Sequence, residues 1–388
     1  MVIKGAKVFV DGHFTETDIR IKDTTIKETG IGLAKDSGDE EVLDFSGYKI
    51  IPGPVDVHTH GRIGYDFTTA SEDEIHALLE DYLKAGVTGV LATVMTNDKE
   101  ILHAAFERIG RIIKEQKEAS GNGCFRREAT ILGINFEGVW LSPKKKGAHL
   151  EEYLELPSVG LYDRYDSASG GNIRLATIAC ELEGALELIS LKKGRTHFSL
   201  GHSEATYEQA CKAIEAGADH ATHLFNAMPP LGHRAPGLIG AVIDKGVYAE
   251  LICDGYHVHP ALLRMLFSAG PDNVVLISDS IAPAGLKNGV YVSGAQQVTA
   301  CDGKILTADG TIAGSGISLF EGLRRCVREF GIDECAAVKA ATHNAAVSAG
   351  VGDAAGDIRP GCSADMVVID DDYNIIGVIS KGIMAKNR

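Results

Sequence analysis

His58 and His60 stand one residue apart, which on an extended strand points both imidazoles to the same face. Imidazoles combined with carboxylates suit Zn²⁺, and Fe²⁺, Mn²⁺ or Co²⁺ less selectively. Glu137, His202, His223, His257 and Asp279 each close or follow an apolar run further along the chain. A catalytic zinc typically takes three protein ligands and keeps a fourth position open for water. Glu137, His202 and His223 supply such a trio, and His58, His60 and Asp279 supply donors for a second ion. A single strand-end histidine is more often a satisfied core or loop residue than a ligand. Seven metal-competent groups at one rim do not fit that description, because each would need its own unrelated partner on burial.

Such convergence needs a scaffold, and the sequence provides one. Eight apolar, β-rich runs occupy 54–60, 87–96, 129–138, 172–181, 196–205, 220–228, 247–257 and 273–280. Near-continuous apolar strands are buried on both faces, as in a parallel sheet. Helical patterns fall between most of them. Ser71-x-x-Glu74 is a capping box for a helix ending at Gly86, and 99–119, 182–194, 204–217 and 316–331 read as further helices. Strands alternating with helices predict an α/β fold, a TIM (β/α)₈ barrel over 53–352, whose active site lies at the C-terminal strand ends. Residues 1–52 alternate as a small antiparallel β unit, and 353–388 resume the same grammar. Chain ends commonly lie together, so the two are expected to form one small β-sandwich domain interrupted by the barrel. The Gly-rich stretch 285–310 reads as a hairpin insertion over the barrel mouth.

With 53 acidic against 38 basic residues, the net charge is −15, which disfavours nucleic acid and anionic lipid as partners. A small anionic substrate remains compatible, since a few local cations can dominate a pocket. The longest basic run, Lys144-Lys145-Lys146, reads as a solvated loop. No apolar run approaches the ~20 residues of a membrane span, and the first residues read as strand rather than as a leader. The eight cysteines show no C-x-x-C pair and read as reduced thiols of a cytoplasmic protein.

The ordered motifs make the reading specific. PGPVDVHTHG (52–61) resembles the first-strand signature of the amidohydrolase superfamily. INFEGVWLSPKKKGAH (134–149), GHSEAT (201–206), THLFNAMPPLGHRAPG (222–237), DGYHVHP (254–260) and ISDSIAPAG (277–285) together resemble its N-acetylglucosamine-6-phosphate deacetylase branch. That resemblance covers nearly the whole chain. It implies a metal-dependent hydrolysis of the N-acetyl group of a small phosphorylated amino sugar. It implies Glu137, His202 and His223 as primary metal ligands and Asp279 as catalytic acid/base. It implies substrate contacts from Ala148, His149, Asn226, Ala227, Arg234, Asp254, His257, Ile312, Ala313 and Gly314. Members of the branch that keep the strand-1 histidine pair can bind two ions, so one or two divalent metals per subunit are expected, zinc first.

The chemistry agrees with this assignment. A divalent ion acidifies water, Asp279 would relay its proton to the leaving nitrogen, and His149 would polarise the acetyl carbonyl. Arg234 matches phosphate bidentately, with His233 and His257 assisting. By the resemblance, the Arg234 loop reaches the neighbouring subunit's pocket, which makes a homodimer the active unit. Trp140 reads as core or lid packing, Asp56 as a structural strand residue and Glu204 as a helix-start carboxylate. Cyclic amidases that bridge two ions with a carboxylated lysine after strand 4 are disfavoured, because Ile178-Ala179-Cys180-Glu181 offers no lysine. A non-catalytic scaffold is disfavoured because no ligand is missing.

Overall fold

The computed structural model describes residues 1–387 except Ala295, with the side chains of Lys386 and Asn387 also outside the described part. Its centre is an eight-stranded, all-parallel sheet in sequential order. We number the barrel strands 1 (Val55–Thr59), 2 (Gly89–Met95), 3 (Thr130–Glu137), 4 (Ile173–Ile178), 5 (His197–Leu200), 6 (His220–Ala221), 7 (Tyr248–Ile252) and 8 (Val274–Ile277). Strands 8 and 1 meet at their C-terminal ends. The Asp279 N–H donates to the His58 carbonyl and the His60 N–H to the Ser280 carbonyl, both at 2.9 Å. Asp56 is buried on this seam, where its Oδ1 accepts the backbone N–H groups of Ser278 (3.2 Å) and His58 (3.4 Å). Its role is therefore structural, as expected.

Strands 5, 6 and 7 are much shorter than the apolar runs that announced them. Past strands 5, 6 and 8 the backbone leaves the sheet: His202, His223, Phe225, Ala227 and Asp279 have φ of 47°, 28°, 82°, 52° and 49°. The apolar pattern runs on because these loops fold over the barrel's own core, not because the strands continue. Non-glycine residues in the left-handed region are held there at a cost and concentrate at functional sites.

Helices α1 (Glu72–Lys84), α2 (Lys99–Gly121), α3 (Val159–Ala168), α4 (Ala185–Lys192), α5 (Tyr207–Ala216), α6 (Gly237–Lys245), α7 (Pro260–Ala269) and α8 (Leu319–Arg328) surround the barrel. The α1 box closes reciprocally between Ser71 and Glu74. Helix α5 starts later than its predicted 204, because Thr206 and Gln209 form its box. Helices α3, α6 and α7, and two further ones, α9 (Glu334–Ala341) and α10 (His343–Ser348), had no sequence expectation. The alanines of α9 and α10 pack on strands 8 and 1, with Ala345 and Ala346 against Val55, Val57 and Val275.

Both chain ends build two further sheets. One holds Val2–Lys4, Asp18–Lys22, Thr25–Gly30 and Val42–Asp44; the other holds Lys7–Val10, His13–Glu16, Lys49–Pro52, Met366–Ile369, Ile375–Ser380 and Ile383–Asn387. Ile3, Val8, Ile19, Ile21, Ile50, Met366, Val368 and Ile379 fill the space between them. The expected all-antiparallel unit is corrected here, since Val2–Lys4 pairs in parallel with Val42–Asp44 and Lys7–Val10 with Lys49–Pro52. Parallel pairing needs a long connection, and the intervening hairpins supply it.

The insertion is larger than a hairpin. Gly289–Ser293, Gln296–Cys301, Lys304–Thr307 and Ile312–Ser315 form a four-stranded antiparallel sheet around Val298, Ala300, Ile305 and Ile281. It stands at the C-terminal mouth of the barrel, tied in by Ser315, whose N–H donates to the Asp279 carbonyl at 2.8 Å.

Candidate active site

The Glu137 carboxylate, at the end of strand 3, is buried at the meeting point of five imidazoles. Its Oε1 lies 3.0 Å from His223 Nε2, 3.2 Å from His202 Nε2 and 3.4 Å from His58 Nε2. Its Oε2 lies 3.1 Å from His60 Nε2 and 3.4 Å from His149 Nε2. Asp279 Oδ1 faces His60 Nε2 at 3.3 Å and His58 Nε2 at 3.7 Å. The residues assigned from sequence to two separate ion sites thus form one cluster with Glu137 shared between its halves. His149, expected only as a carbonyl polariser, also sits within ligating reach of Glu137 and His202.

Several Nδ1 atoms are fixed from behind, which decides which nitrogen is free. His202 Nδ1 donates to the Lys145 carbonyl (2.7 Å), and His58 Nδ1 donates to Glu250 Oε2 (2.9 Å). His149 Nδ1 meets Thr96 Oγ1 at 2.8 Å. With Nδ1 protonated in His202 and His58, their Nε2 atoms keep a lone pair toward the cluster.

The donor set fits a divalent cation. His202 Nε2 and His223 Nε2 are only 3.0 Å apart, so two lone pairs converge unless a positive charge lies between or beside them. Electrostatics makes the same demand. Burial pushes the His60 imidazole down, but Asp279 and Glu137 outweigh it and raise it to about 9. Burial, helped by the charges of His223 and His149, holds His202 near 4. Glu137 and Asp279 would rise on burial, yet the surrounding histidines keep both below the usual carboxylate range. In the protein alone, the two carboxylates favour the protonated forms of His58 and His60. A cation would supply that charge with every ligand deprotonated.

Above the cluster opens a cavity of about 410 Å³. His60, Glu137, Ala148, His149, His202, His223, Asn226, Ala227, His257, Asp279, Ile312, Ala313 and Gly314 border it, while His58 lies beneath. Three expected contacts fall elsewhere. Asp254 is buried behind His257 and orients it, taking His257 Nδ1–H at 2.6 Å. Within one chain His233 and Arg234 do not reach the cavity; both are exposed on the loop after strand 6. That loop leaves the barrel surface, which no spacing in the sequence reveals.

The lysine run is a solvated loop that flanks the site, as expected, with Lys144 exposed. Lys144 and Lys145 border the cavity, and Lys144 pairs with Glu204 at 3.1 Å. Glu204 itself precedes the α5 cap, and its N–H is taken by Glu181. Trp140 is fully buried against Phe136 and Tyr162, and packs the core rather than the mouth. Sequence reasoning missed Glu250, a fully buried carboxylate inside strand 7. A lone acid within VYAELIC (247–253) was its available signal, since a charge in a two-sided buried strand needs a partner.

The comparisons agree with this geometry. The amidohydrolase family profile matches residues 50–384. An N-acetylglucosamine-6-phosphate deacetylase of Bacillus subtilis (strain 168) is 35% identical over 373 residues, covering 95% of this chain and 92% of the relative. An N-acetylgalactosamine-6-phosphate deacetylase of Escherichia coli O157:H7 is 32% identical, covering 97% and 96%. The structure of a mutant N-acetyl-D-glucosamine-6-phosphate deacetylase from Mycobacterium smegmatis, in complex with N-acetyl-D-glucosamine-6-phosphate, superposes with a TM-score of 0.90 at 30% identity, covering 99% of both chains. On its profile, its near full-length relatives and its fold, the chain belongs to the amidohydrolase family.

Proposed function

We propose that this protein hydrolyses the N-acetyl group of N-acetyl-D-glucosamine 6-phosphate, giving D-glucosamine 6-phosphate and acetate. The observation that carries the reading is the cluster of five imidazoles and two carboxylates under a cavity large enough for one sugar. The relatives named for this deacetylation support the substrate.

Glu137, His202 and His223 would hold the first divalent ion, and His58, His60 and Asp279 offer donors for a second. Zinc suits the set best, with iron, manganese or cobalt as alternatives. When bound, the ion supplies Lewis acidity, which acidifies water toward a pKa of about 7 and polarises an acyl oxygen. Asp279 accepts the proton of the attacking water and later delivers it to the amide nitrogen, so the C–N bond breaks with a neutral amine leaving. His149, with the Thr96 hydroxyl donating to its Nδ1, would keep an Nε2–H to donate to the acetyl oxygen as it gathers negative charge. Ala148, Asn226, Ala227, His257, Ile312, Ala313 and Gly314 surround the sugar, with Asp254 orienting His257.

Arg234, with His233, would bind the phosphate from the neighbouring subunit of a homodimer; their exposure outside the cavity of their own chain is compatible with that role. Reduced cysteines, all free among the described residues, support a cytoplasmic setting. The test is acetate release from N-acetylglucosamine with and without the 6-phosphate, and from the galactosamine epimer, with metal analysis of the same sample. Strong preference for the phosphorylated glucosamine form supports the reading. Equal turnover of phosphorylated and free sugar would remove Arg234 from its role, and no acetate from any of the three would end the proposal.

A further inference from the structure

Glu250 is a buried group that the chemistry above does not use. It lies on strand 7, fully buried, and its carboxylate touches two different parts of the candidate ion site from below. Oε2 takes both the His58 Nδ1 proton (2.9 Å) and the backbone N–H of His223 (3.0 Å). Oε1 faces His220 Nε2 at 3.3 Å, and the Glu250 carbonyl takes the Leu224 N–H at 2.8 Å. One residue thus grips two consecutive N–H groups of the turn that carries His223 at φ 28°. The same residue fixes the ring of His58 from strand 1.

We infer that Glu250 is a positioning residue that couples the two halves of the metal cluster, holding the His58 Nε2 lone pair and the strained His223 turn in register. The inference rests on the reading that the cluster holds a divalent ion. A carboxylate behind a ligating imidazole fixes its tautomer and orientation, and losing such a partner typically costs ~10–100-fold in metal affinity. Here the loss reaches both halves, since His58 and His223 approach the same Glu137 oxygen from two different strands.

The test is Zn²⁺ affinity, measured by competition with a chromophoric chelator on full-length wild type, Glu250→Gln, His58→Asn and the double variant. Glu250→Gln keeps the shape and one acceptor oxygen but removes the negative charge that strengthens the bonds from His58 Nδ1–H and the His223 N–H. It is expected to bind Zn²⁺ ~10–100-fold more weakly. Its effect should shrink in the His58→Asn background, because residues acting through one another are non-additive. Thermal melts of the metal-free proteins separate this from a general loss of packing, which would lower the melt and leave the affinities additive. Should Glu250→Gln fail to fold, Glu250→Asp carries the same test, keeping the charge while withdrawing the oxygen from His58. Unchanged affinity, or full additivity with His58→Asn, overturns the inference while leaving the metal site intact. A wild-type protein that takes up no Zn²⁺ takes both readings down.

Discussion

Asp279 is the residue on which the proposed reaction turns. Its backbone is held left-handed by the strand 8–strand 1 seam, and its carboxylate reaches His60 without another hydrogen-bonding side chain in between. Asp279→Asn preserves shape and removes the proton acceptor. We expect kcat to fall by ~10²–10⁴-fold, the range of a positioned general acid/base, while the ion held by Glu137, His202 and His223 is retained. Parallel metal analysis and acetate-release kinetics check this, and near-normal turnover would move the proton relay to another group. Glu137 shows how far residue type alone carries an argument. It was legible as a ligand because an acid ends an apolar strand, but its position between two groups of histidines was not, since that depends on strands far apart in sequence.

At the scale of elements, the insertion sheet is tied to the chemistry through Gly314. That residue borders the cavity with φ 127°, and a Cβ there would come within 2.8 Å of Ile281 Cγ2 and 3.0 Å of the Asp279 carbonyl oxygen. Gly314→Ala therefore strains its own backbone and pushes on the strand 8 turn. A displacement near 1 Å can cost ~10²-fold in rate, so we expect kcat to drop by roughly tenfold or more with metal content retained. Steady-state kinetics alongside metal analysis would show it, and a fully active variant would show the sheet to be free of Asp279. The Gly-rich tract at 285–310 did reveal an insertion. Its fourth strand was hidden because Ile312–Ser315 is short and carries three small residues.

For the whole molecule, the ion is expected to contribute to stability as well as to chemistry. Anything that binds only the folded state stabilises it, by ~2.7 kcal/mol at a free concentration 100-fold above Kd. Chelation should lower the thermal midpoint, with Trp140, the single and fully buried tryptophan, reporting unfolding by its emission. An unchanged midpoint would argue that the cluster holds no ion. Far from the site, Asp365 joins the barrel's entry strand to the terminal sheets. Its carbonyl takes the Gly53 N–H at 2.9 Å, and its Oδ1 takes the Lys381 N–H at 2.7 Å. Burial raises its carboxyl above the ordinary 3.8 despite Ser363 and Lys381. The folded state then holds this proton more tightly than the unfolded chain. Its contribution to stability is full below 3.8 and is lost as pH rises through the raised value. Asp365→Asn lacks that loss, so urea unfolding at pH values stepped upward from 3.8 should show the variant gaining on wild type. A constant difference would mean that Asp365 ionises normally in the folded protein.

What the sequence by itself determined was the chemistry's inventory and its carrier. Period and apolar runs are local properties, and they sufficed for eight strands, most of the flanking helices, the split terminal sheets and the residues at the strand ends. Tertiary structure alone decided which oxygen of Glu137 faces which imidazole, that Glu250 holds the His58 ring and the His223 backbone, and that Arg234 lies outside its own chain's cavity. Those facts come from closing a sheet into a barrel, which brings strand 8 against strand 1 and strand 7 beside strand 8. Neighbours across a closed barrel lie far apart along the chain, and no local spacing encodes their distance.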